Sequence, residues 1–202
     1  MPRGMWMKKS YSPAKGIVAG LIGGLFASWV MNQFQAGMRK VTKSAEQGNN
    51  GAKREDEEDA AHWQAKPNRR ERRQQRASGG EEEAANVKAA VAVSEGVFQH
   101  ELAPEEKKPA GQLVHYAYGA ALGALYGWAA ERSEVARTAA GTLFGATIWF
   151  GSDEIGVPMF GLAKAPQEYP VSTHASALAA HIVYGVTTEV VQRALRRGYL
   201  AS

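Results

Sequence analysis

This sequence predicts an all-α fold: an integral membrane bundle of about four glycine-rich transmembrane helices, with a long charged, partly disordered loop between helices 1 and 2. Three observations predict it. Charge of both signs is concentrated in residues 40–110, while residues 16–38 and 111–192 are rich in Gly, Ala and aromatics. The apolar runs approach the roughly 20 residues that a helix needs to cross about 30 Å of hydrocarbon. Glycines recur inside them every four residues, a spacing that lets helices approach closely in lipid. The mean hydropathy of −0.35 averages over this division and conceals it.

The first unit, residues 1–38, has a basic flank (Arg3, Lys8, Lys9, Lys15) followed by an uncharged run from Gly16 to Gly37. A signal peptide shares that plan, but the run is long and shows no clear small-residue cleavage site, so a retained transmembrane helix is expected. Residues 39–110 form the charged loop. "GAKREDEEDAAHWQAKPNRRERRQQRASGGEEE" alternates acidic and basic blocks and cannot bury enough apolar surface to offset chain ordering. An amphipathic helix is expected near 84–100, with Val87, Val91, Val97 and Phe98 at helical spacing; Pro104 and Pro109 are expected to close this segment.

Residues 111–202 carry three further spans, at 111–130, 135–152 and 173–192, the last followed by "RALRR". Between the third and fourth, a loop at 153–172 is broken by Gly156, Pro158, Gly161, Pro166 and Pro170. Helix-packing glycines are Gly16, Gly20 and Gly24 on the first span, Gly119, Gly123 and Gly127 on the second, and Gly141 and Gly145 on the third. Basic residues at both chain ends and in the link at 131–134 favour both termini on the cytoplasmic side.

With 202 residues, no cysteine and a net charge of +4, disulfides and thiolate metal sites are excluded; the basic balance suits a membrane surface as well as nucleic acid. No nucleophile elbow, P-loop, dinucleotide fingerprint or H-E-x-x-H pattern is present. No enzyme activity, cofactor, metal or specific nucleic acid is therefore expected. The expected partners are the lipid bilayer and, through the glycine faces, a second copy or another membrane protein. Ionisable groups in the apolar region are the exception to this blandness. His115 opens the second span, Asp153 and Glu154 end the third, and His181 and Glu189 lie deep in the fourth. Such groups are costly in a membrane and tend to face the bundle interior. One polar pocket for a proton, ion or ligand is the expectation; ordinary interfacial or capping roles fit the same residues.

The segments "GQLVHYAYGAALGALYGWAAE", "GTLFGATIWFGSDEIGVPMFGL" and "HASALAAHIVYGVTTEVVQRALRR" resemble the YagU-like family of small bacterial inner-membrane proteins. The likeness rests on His-Tyr-x-x-Gly, then Asp-Glu-x-x-x-Pro, then His-x-x-Tyr-Gly-x-x-Thr-Glu. It implies an inner-membrane location and, for one branch, a contribution to survival at low pH; it carries over no catalytic residues. The expected function is non-enzymatic support of acid or envelope stress tolerance. A small-solute transporter or channel, and an assembly factor for another membrane protein, are the alternatives.

Overall fold

The computed structural model describes residues 12–57, 84–133 and 139–198. The centre of the expected disordered loop, 58–83, lies outside the described residues. Among those described there is no strand.

Helix α1 spans Pro13–Glu57. Ser12 starts it: its Oγ accepts the Lys15 N–H at 3.4 Å, and Pro13 fills the first helical position, where a missing N–H costs nothing. The helix runs about 20 residues past Gly37, where the first span was expected to end. Hydropathy marks where a helix can leave lipid, whereas Ala, Arg, Lys, Gln and Glu beyond it are sound helix formers. Helix α2, Ala85–Phe98, ends with Gln99 in the left-handed region (φ 52°). Pro104 and Pro109 do not close that segment. Pro104 instead opens helix α3, Pro104–Arg132, which contains Pro109; Glu106 accepts the Ala103 N–H at 2.9 Å as half of a capping box.

Residues Ala139, Ala140 and Gly141 all have positive φ (57°, 49° and 84°) and make a left-handed turn into helix α4, Thr142–Ile148. The helix does not stop near Gly151. It widens into a π-helix over Trp149–Gly156 and closes with one α turn, Val157–Met159. The loop expected at 153–172 therefore begins at Phe160, and Asp153 and Glu154 lie within helical backbone. Pro158 forfeits only its own N–H, and the wider π turn before it relieves the usual clash of its ring. Helix α5 spans Val171–Gly198.

The helices run up and down. Gly16, Gly20 and Gly24 of α1 meet Gly127, Gly123 and Gly119 of α3, so α1 and α3 are antiparallel. Gly23 of α1 meets Thr188 and Gln192 of α5, and Gly141 and Gly145 of α4 meet Gly185 and His181 of α5. At most of these positions a Cβ would overlap facing backbone; at Gly119 it would overlap the Ser28 hydroxyl, and at Gly23 it would crowd the Thr188 carbonyl. Ala27, Met31, Ile148, Ala180 and Tyr184 form the core, with Phe34, Leu122 and Phe144 against it. Among the described residues one helix, over Pro13–Thr42, is long and apolar enough to cross a membrane. By that measure α3, α4 and α5 fall short of the four spans expected.

Candidate titratable site

Two imidazole–carboxylate contacts join the π-helix to α5. His174, in the first turn of α5, holds Glu154 through Nδ1 at 2.6 Å and the Pro166 carbonyl through Nε2 at 3.0 Å. A carbonyl and a carboxylate both accept, so the pair of contacts favours the doubly protonated ring. Two turns further on, His181 Nδ1 lies 3.0 Å from the Ala177 carbonyl and 3.6 Å from Asp153 Oδ2. The imidazole donates to Ala177 and stands just outside hydrogen-bond reach of the carboxylate.

The π-helix makes this arrangement. Its wider turn stacks Asp153 and Glu154 over α5, so adjacent residues meet histidines seven apart. Tyr118 of α3 adds a 2.7 Å hydroxyl contact to Ser152. His115 belongs to the same end of the bundle, near enough to His181 for their charges to interact. Its Nε2 is buried with no partner among the described residues, as is the indole N–H of Trp149.

Glu189 does not join this group. It lies two turns deeper, 1% exposed, where it accepts the Tyr126 hydroxyl at 2.8 Å and pairs with Arg193. Beside it, Arg196 grips Glu131 of α3 through two hydrogen bonds at 2.6 and 2.8 Å. The single pocket expected from His115, Asp153, Glu154, His181 and Glu189 is thus divided: four of them stand at one end of the bundle, Glu189 at the other. The reason is pitch, since eight residues of helix separate His181 from Glu189 by about 12 Å.

The pocket expected from sequence did not include His174, Glu131, Arg193 or Arg196. The Glu189–Arg193 spacing of four was a legible signal. The Glu131–Arg196 contact, between two helices, was not. Among the described residues no three His, Asp or Glu side chains gather where they could hold a metal ion.

A family model described as "Protein of unknown function (DUF1440)" matches residues 88–190. No curated protein and no solved structure matches the chain. The matched segment holds α3, α4, all four residues of the titratable site, His174 and Glu189, and covers just over half of the 202 residues; the chain belongs to this family.

Proposed function

We propose that this chain is a four-span inner-membrane protein of the YagU-like kind, which supports survival under acid or envelope stress by taking up protons at its His/carboxylate site. The distribution of residue types supports the bilayer. Inside, beside Met31, Tyr126, Ile148 and Tyr184, are Gly, Ala, Ser28, Thr188, Glu189 and Gln192; outside are Ile17, Leu21, Ile22, Phe26, Trp29, Leu125, Trp128, Leu143 and Phe150. In water each exposed large apolar side chain forgoes about 1.5–3 kcal/mol of burial, whereas in lipid it loses nothing. Helices α3 and α5 have low hydropathy because their inward faces carry Tyr, Thr, Glu and Gln. The helical run from Thr142 to Met159 measures about 27 Å, near the hydrocarbon thickness.

The topology supports the orientation. Lys15, Arg132, Arg193, Arg196 and Arg197 share one end of the bundle, which the positive-inside tendency assigns to the cytoplasm. The titratable site is at the opposite end, on the side an acid challenge reaches. The observation that carries the proposal is the crossing of two imidazole–carboxylate pairs from α4 to α5 at that end. With Nδ1–H of His181 donated to the Ala177 carbonyl, Nε2 is the ring's remaining acceptor, and Asp153 lies beside the ring.

The test is complementation of cells lacking the chain. His181→Ala and Asp153→Asn should lower survival at acid pH with protein abundance unchanged; survival equal to wild type in both variants overturns the proton site. Recovery in the soluble fraction without detergent overturns the bilayer assignment.

A further inference from the structure

At the Arg-rich end of the bundle, α5 and the left-handed turn before α4 enclose a recess of about 250 Å³ lined by Ala140, Glu189, Val190, Arg193, Ala194 and Arg197. Its arginines are not equivalent to their neighbour. Arg196 is turned inward and fully engaged by Glu131. Arg193 gives one edge to Glu189 and keeps a side chain 44% exposed. Arg197, one turn on and on the same face, pairs with no carboxylate among the described residues. The surface of the recess is almost wholly apolar, made by Ala140, Val190, Ala194 and the aliphatic stems of the arginines, and the described residues around it carry two guanidinium groups against the one carboxylate of Glu189. Val190 is 59% exposed, so the apolar wall is open to the surroundings.

We infer that this recess binds an anionic phospholipid, its phosphate held by Arg197 and the free edge of Arg193, and its glycerol and upper acyl carbons against Val190 and Ala194. A forked guanidinium suits phosphate oxygens, and an apolar wall beside it suits a ligand that is charged at one end only. A free phosphate would use the arginines and leave the wall unused. The inference rests on the membrane reading above.

The experiment measures thermal unfolding of the full chain in neutral detergent, titrated with phosphatidylglycerol, phosphatidylcholine or inorganic phosphate. Phosphatidylglycerol is expected to raise the midpoint saturably, and the other two are not. Arg197→Gln, which leaves the Glu189–Arg193 pair intact, should weaken the apparent affinity at least fivefold with an unchanged midpoint in lipid-free detergent. Val190→Trp fills the recess without altering charge and should abolish the response. An equal response to phosphatidylcholine or to inorganic phosphate overturns the inference, as does a full response in both variants. Failure of the membrane reading is distinguishable, because the chain would then be recovered without detergent before any lipid is added.

Discussion

Gly20 of α1 and Gly123 of α3 face each other so closely that a Cβ on either would overlap the other's carbonyl oxygen. The same relation holds for Gly16 with Gly127; a Cβ on Gly24 would overlap the Gly119 carbonyl oxygen, and one on Gly119 would overlap the Ser28 hydroxyl, so these glycines together set the separation of the two helices. Gly20→Val or Gly123→Val must push the backbones apart along the whole contact. A loss of about 3 kcal/mol or more is expected, at the upper end for overpacked sites. Gly37, with nothing near its Cα, is the control: Gly37→Ala should leave stability unchanged or raise it by up to about 1 kcal/mol. Thermal unfolding in detergent measures all three; a stable Gly123→Val variant would show that the glycine contact does not hold the bundle.

The Glu189 carboxylate is buried between Tyr126 and Arg193. Removing either partner has a different consequence. Tyr126→Phe deletes one hydrogen bond to a charged group, a loss of about 1.5–3 kcal/mol. Arg193→Gln leaves a buried charge without its counter-ion and should cost about 3–5 kcal/mol. The combination Arg193→Gln with Glu189→Gln should recover much of that loss, since both charges are gone. Chemical unfolding of the four proteins in one detergent gives the comparison, and a double variant no more stable than Arg193→Gln alone contradicts the pairing.

Glycine spacing made helix contact legible from sequence, but it did not say which helices meet. Gly16, Gly20 and Gly24 share a face by simple periodicity, yet their seating on Gly119, Gly123 and Gly127 is a long-range fact. Hydropathy found the run of α1 that is long and apolar enough to cross a membrane and misjudged where α1 ends, because the polar residues after Gly37 favour helix in water equally well. The π-helix was illegible for a further reason. Gly151, Gly156 and Pro158 read as a break in any local scale, and only packing against α5 stabilises a turn of that width. That misreading moved Asp153 and Glu154 out of the helix and left His174 without a visible partner. Glu189 was recognised as buried and functional in type, but a face of α5 long enough to span the bundle does not gather its ends into one pocket.

His174 gives a pH signature. Its two ring nitrogens face two acceptors, the Glu154 carboxylate and the Pro166 carbonyl, so both contacts are hydrogen bonds only while the ring carries both protons. Losing a ring proton as pH rises gives up one of the two. The contact fastens the loop 160–170 to α5 through the Pro166 carbonyl. Amide exchange at Lys164–Glu168 should therefore quicken as pH rises by more than base catalysis of exchange accounts for. In His174→Phe the loop should exchange quickly at every pH. Loop protection that tracks only intrinsic exchange, in both proteins, contradicts this role.

The register of the π-helix supplies the last prediction. Gly151 lies inside the π-helix, on an exposed face with open space where a side chain would go, so deleting it removes one residue without removing a contact. The shortened segment can then close with ordinary α geometry, because a π turn amounts to one residue more than the α repeat accommodates. The flanking turns then keep their faces, and the change of direction falls on the residues inside the former π turn, Asp153 and Glu154 among them. Asp153 and Glu154 would turn away from His181 and His174, and both contacts would be lost with the ionisable groups still in the chain. The deletion should reproduce the acid sensitivity of His181→Ala, leave the glycine contacts among α1, α3 and α5 intact, and lower the unfolding midpoint only slightly. If it left acid survival at the wild-type level while amide exchange confirmed a displaced loop, proximity of the carboxylates to the histidines would not be what the site depends on.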